Sequence, residues 1–324
     1  MRFMRIRSAS VLLLLAAVTA FAQTGGAKPA PTPTQSTAAP AQAAPQAANP
    51  QSPAAPTPSK APQAKTKEEF DAYKAAAALP DPNQVLAAAD QFAQKYPDSE
   101  LRELLYVQAM NGFSQQGNAD KEIEAGRKAI AIDPHDPNPL IHVASALVEV
   151  TRDNDLDKEQ RYAEVAKDAQ AVIDNINTGL RIPPNVSEAQ VQAAKNSILT
   201  LAYETLGVVA MQKQSFAEAE TNFQKAADIS KAQPVARIYL RLSVVQDNEK
   251  KYAEALVNAN KAIQYSQQGT VEQTLAKQQQ SRLQKLVGEA TDTGAPAPPT
   301  PQATAPTTPA QGGNPQQAQP PQPH

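Results

Sequence analysis

Two stretches decide the fold: AYETLGVVAMQKQSFAEAETNFQKAADI (202–229) and IYLRLSVVQDNEKKYAEALVNANKAIQY (238–265), which align at an offset of 36 residues. In the first, Tyr203, Leu206 and Gly207 are followed by Phe216, Ala219, Phe223 and Ala226; in the second, Tyr239, Leu242 and Ser243 are followed by Tyr252, Ala255, Ala259 and Ala262. Self-similarity at this period marks a supersecondary unit that buries its apolar face only by stacking on copies of itself. Apolar residues recur at helical spacing, and no alternating β-branched run bounded by turns appears between residues 66 and 290. The small Gly207 and Ala219 fall where two helices of a pair cross and only a small side chain fits.

Working outward, an earlier segment repeats the frame in degenerate form through Phe113, Gly117, Ala129 and Pro134. It departs at Glu122 and Gly126, where the frame calls for a small residue and an aromatic. This pattern resembles the tetratricopeptide repeat, a helix–turn–helix unit of about 34 residues. The run Phe92-Ala-Gln-Lys-Tyr96-Pro97-Asp98-Ser99 resembles the repeat ends of tetratricopeptide scaffolds of the bacterial cell envelope. The resemblance implies an all-α, tetratricopeptide-like helix–turn–helix solenoid without catalytic activity. Helical spacing places about five pairs, 67–79 with 83–96, 100–116 with 119–132, 138–152 with 157–177, 188–213 with 216–230 and 235–249 with 252–266. A C-terminal capping helix follows over 271–288, opened by a capping box of Thr270 and Gln273.

Proline marks the domain boundaries. Of 29 prolines, ten lie between Gln23 and Lys65 and ten between Thr291 and His324. The linker 23–65 is Pro/Ala-rich and the tail 291–324 Pro/Gln-rich, both nearly free of charge and aromatics. Such composition cannot bury enough apolar surface to offset ordering entropy, so both are expected to be disordered. Extended at roughly 3.1 Å per residue, the linker reaches on the order of 130 Å. It could contact cell wall or serve as a ligand for proline-binding modules.

Residues 1–22 read as a secretory signal, with Arg2, Arg5 and Arg7 before the apolar run Val11–Phe21. Cleavage is expected after Ala22; the alternative is an uncleaved anchor. No integral span is expected after cleavage. The chain has no cysteine, which excludes disulfides, thiol chemistry and a lipoprotein anchor. The expected location is periplasmic or secreted. The body 66–290 holds 24 basic and 31 acidic residues, a net charge of −7, against a nucleic-acid surface.

Sites of chemistry are sparse. Asp153, Asp155, Asp157 and Glu164 imitate a calcium loop, but Lys158 stands where the sharp turn needs glycine, and Asp157 with Gln160 reads as a helix N-cap pair. His135 and His142 are seven apart, unlike the i,i+4 spacing of helical metal pairs. No phosphate-loop, nucleophile-elbow or zinc-protease motif occurs. No cofactor and no metal is expected.

A stack of helix pairs presents a concave face built from first helices. In this frame its lining residues are Gln108, Asn111, Gln115, His142, Ser145, Glu204, Val208, Arg237, Arg241, Val244 and Asn248. The family's clamp for a peptide carboxylate has lysine at the fifth and asparagine at the ninth position of the first helix. Asn111 matches the ninth, while Val107 holds the fifth. Arg237 and Arg241, one turn apart, form a candidate anion contact. The expected partner is a protein or peptide. The alternative is a structural envelope protein whose repeats self-associate.

Overall fold

The computed structural model describes residues 62–183 and 185–292. Among them the chain forms eleven α-helices and no strand: α1 (Lys67–Ala77), α2 (Pro82–Lys95), α3 (Leu101–Gln116), α4 (Ala119–Ile130), α5 (Pro137–Val150), α6 (Lys158–Asn175), α7 (Glu188–Gln212), α8 (Phe216–Ile229), α9 (Ala236–Asn248), α10 (Tyr252–Tyr265) and α11 (Val271–Asp292). The helix ends fall within a few residues of those expected from spacing. The expected signal 1–22, most of the expected linker and nearly all of the C-terminal stretch 291–324 lie outside the described residues.

Local chemistry sets the helix starts. The Thr66 side chain accepts the Glu69 amide, and Asp81 and Asp136 cap helices whose first residue is proline. Ser187 and Gln190 form a reciprocal capping box that starts the long α7. Two expected caps take other forms. Asp157 precedes α6 but its carboxylate accepts from Arg161 Nε at 2.8 Å instead of a backbone amide. Thr270 accepts the Gln273 amide, while the Gln273 carbonyl turns back to the Gly269 amide, one residue too early for a reciprocal box.

Three of the helix pairs turn in the same way. Gly117, Gln214 and Lys250 each adopt a left-handed φ, of 66°, 61° and 63°. In each turn the next amide bonds a carbonyl five residues back, Asn118 to Phe113 at 2.9 Å, Ser215 to Ala210 at 2.9 Å and Lys251 to Gln246 at 2.8 Å. The middle pair differs. Its helices are joined by 151–157, and it leads to α7 through 176–187.

Each pair packs on its neighbours in sequence, and α11 covers α10 and α9 as a final layer. A methyl group at Gly207 would lie 2.6 Å from the Phe223 ring, so close crossing explains the glycine. At Gly126 a methyl would lie 2.4 Å from Val143 and 3.1 Å from the Met110 sulfur. The volume that the repeat frame assigns to an aromatic at 126 is thus filled from α5 and α3. Lysine ammonium groups sit over tyrosine rings in three pairs at an identical separation of 22 residues: Lys128 over Tyr106 (5.7 Å), Lys225 over Tyr203 (5.2 Å) and Lys261 over Tyr239 (5.5 Å).

Candidate functional site

Among the first helices α1 packs beside α3 and α5 beside α7, and α9 packs beside the capping α11. Short turns force each second helix onto the other side of its pair. The expected lining residues divide into those spent on internal contacts and those left at the surface.

A buried polar contact joins α7 to α9. Glu204 is 1% exposed and accepts Arg237 Nε at 2.6 Å and Arg237 Nη2 at 2.8 Å, with Arg241 Nη1 on the same carboxylate. Burial works to raise the Glu204 carboxyl, and the two guanidiniums outweigh it, holding it below the ordinary carboxylate range. The anion expected at Arg237 and Arg241 is therefore a residue of the chain itself. Both arginines spend donors on this internal contact.

Other expected lining residues are also occupied. Gln108 donates to the Ala77 carbonyl at 2.8 Å and closes the end of α1. His142 Nδ1 lies 2.8 Å from Glu122 Oε1, in the joint between α4 and α5. This pair explains why a glutamate stands where the repeat frame has a small residue. Ser145 Oγ is 3.4 Å from Thr205 Oγ1, across α5 and α7. Val208 is buried in the core of the last pairs rather than exposed. Asn248 is exposed and bonds only along its own helix, to the Val244 carbonyl at 2.7 Å. Asn111 is half-buried and Gln115 exposed, one turn apart on α3, and Val244 is half-buried on α9. The accessible part of the face is thus amide-rich at α3 and apolar with an amide at α9.

A second polar cluster went unseen in the sequence. The segment 176–187 folds back so that Gly179 presses on the α4–α5 turn, where a methyl group would lie 1.9 Å from the His135 carbonyl oxygen. This seats Arg181 against Glu103 of α3 and against Asp133 at 2.9 Å, with Asp136 at 4.0 Å. One guanidinium faces three carboxylates, and Glu103 is 1% exposed. Burial pushes the Glu103 carboxyl up to about 8, with Arg181 opposing and Asp136 adding to the rise. Among the described residues no group of acidic or histidine side chains could hold a metal ion, and no helix is long and apolar enough to cross a membrane. Asp155 and Asp157, from the calcium-like stretch, are paired with Arg161, and Glu164 with Arg127.

No protein-family model and no curated protein matches the sequence. Solved structures of similar shape include a crystal structure of MamA protein, at 16% identity and a TM-score of 0.43, covering 61% of this chain and 90% of that one. A structure from the functional characterisation of Pseudomonas aeruginosa pilF has 19% identity and a TM-score of 0.46, covering 71% and 90%. An assembly chaperone of RpL4, Acl4, has 11% identity and a TM-score of 0.38, covering 70% and 99%.

Proposed function

We propose that the chain is a non-enzymatic scaffold of the bacterial periplasm or cell envelope that holds a protein or peptide against its first-helix face. The observation that supports this reading is the set of internal polar contacts that join α1 to α3, α5 to α7 and α7 to α9, above all Glu204 with Arg237 and Arg241. Such contacts fix the spacing of neighbouring pairs and preorganise the face they leave open. Asn111 and Gln115 can hydrogen-bond an extended backbone, and Val244 adds apolar contact. The signal-like residues 1–22 support export, and the proline-rich ends give reach from an attachment point.

Placing arginine at Asn111, Gln115 or Val244, one at a time, introduces a bulky charge on this face without disturbing the core. Capture of the cellular partner is expected to fall about tenfold or more for at least two of the three, by the usual cost of disrupting a central contact. Gln224→Arg, at an exposed position on α8, is expected to leave capture unchanged. Quantitative co-purification measures both. Equal losses at all four positions, or none at all, contradict the assignment of this face.

A further inference from the structure

The first helices associate in twos, α1 with α3, α5 with α7 and α9 with the capping α11, while direct packing of α3 on α5 and of α7 on α9 is slight at most. On the second-helix side both of these seams are closed by continuous apolar packing. At the first, α4 packs on α5, and Ile123 shares a core with Val143 and Leu147. At the second, α8 packs on α9, and Phe223 and Ala226 share a core with Ile238 and Leu242.

On the first-helix side each seam is bridged by a buried ion cluster instead. Glu204 of α7 holds Arg237 and Arg241 of α9 with both carboxylate oxygens. Arg181, from the segment after α6, holds Glu103 of α3 and, at 2.9 Å, Asp133, with the α5 cap Asp136 at 4.0 Å. The two clusters are unequal. Glu103 Oε1 and Arg181 Nε and Nη1 are buried with no hydrogen-bond partner among the described residues, whereas no atom of Glu204, Arg237 or Arg241 is left so. Buried polar atoms without partners forgo hydration and gain nothing for it, so admitting water costs the Arg181 cluster less.

We propose that the two seams are hinges of the solenoid, with the axis on the second-helix side and the ion cluster as the clasp, and that the α3–α5 clasp opens first as pH rises. Hydrophobic contact is non-directional and survives a small rotation, while hydrogen-bonded ion pairs are lost within about an ångström of opening. Glu103 supplies the pH dependence. The charged groups around it are Arg181 from the segment, Asp136 from the start of α5 and Asp133 after α4, and its neighbour Arg102 turns away to the Ser99 carbonyl at 2.8 Å. Burial holds the Glu103 carboxyl up at about 8 in the closed seam, against the pull of Arg181, and water reaching it returns it toward the ordinary 4.5. The closed seam therefore binds a proton that the open seam releases. Closure is strongest at acid pH and weakens as pH climbs toward 8. Glu204 is held low, so the second clasp weakens in the opposite direction, as pH falls.

The test is double electron–electron resonance on the full chain, which has no cysteine of its own. Nitroxides go on cysteines introduced in pairs at exposed positions: Gln115 with Ser197 across the α3–α5 seam, Ser197 with Asn248 across the α7–α9 seam, and Ser197 with Ala163 within the middle block. From pH 6 to pH 9 the Gln115–Ser197 distribution is expected to widen and move to longer distance, while the other two stay as they are. Arg181→Met is expected to produce the same change already at pH 6, and Glu103→Gln to keep the distribution narrow at pH 9. A Gln115–Ser197 distribution unchanged across this range overturns the proposal, whether or not Arg181→Met folds. So does equal widening of Ser197–Ala163, which is a loosening of the whole chain, or a pH response that Glu103→Gln leaves in place.

Discussion

Replacing Glu204 with alanine leaves Arg237 and Arg241 facing each other without a counter-charge. Their partial exposure, 19% and 27% of the side chains, lets water relieve some of that cost. We expect Glu204→Ala to lose about 3 kcal/mol in urea unfolding, the low end for breaking a buried ion pair. Because the folded Glu204 carboxyl is held below its ordinary 4.5, its contribution is present at neutral pH and fades as pH falls through the folded value. Two other residues are open to improvement. Gln214 and Lys250 carry side chains in the left-handed region, where glycine has no steric penalty. Gln214→Gly and Lys250→Gly are each expected to raise stability by up to about 1 kcal/mol, read as a higher Tm in calorimetry. A lower Tm for both contradicts the shared turn geometry. The sequence made Gly117 legible as a turn residue. It concealed Gln214 and Lys250, since nothing in their chemistry favours a positive φ.

The segment between α6 and α7 behaves as an element of its own, pinned by Gly179 and Arg181. Its charges give the molecule a pH dependence opposite in sign to that of Glu204. The Glu103 carboxyl rises from 4.5 to about 8, so between those values the folded chain keeps a proton that the unfolded chain releases. Stability from this group is therefore complete below about 4.5 and declines as pH rises toward 8. Glu103→Gln keeps the shape of the side chain and removes the titration, so its urea midpoint is expected to change less between pH 5 and pH 8 than that of the natural chain. An equally steep decline in the variant contradicts the assignment. The helices around this segment were legible because apolar spacing, prolines and caps act within a few residues. Arg181 was not legible: its partners lie 45 to 78 residues away, and only the path of the chain brings them together. The Tyr–Lys pairs were readable in principle, since 22 residues separate Tyr106 from Lys128, Tyr203 from Lys225 and Tyr239 from Lys261. They extend the register of the clear repeats back to α3 and α4.

Across the whole molecule, the same repeated packing that made the fold readable made the site hard to read. First-helix positions can be assigned from spacing, yet whether a polar side chain there serves a partner or a neighbouring helix depends on the residue facing it. Gln108, His142, Glu204, Arg237 and Arg241 all turned inward to such neighbours, which leaves Asn111, Gln115 and Val244 among the residues a partner can meet. A photo-crosslinking residue placed in living cells at each of these three positions, and at Gln224, Lys225 and Thr221 on the exposed side of α8, tests this division most directly. The account predicts that the first-helix positions trap one and the same polypeptide and that the α8 positions trap none. Trapping from α8 with silence from Asn111, Gln115 and Val244 would contradict it.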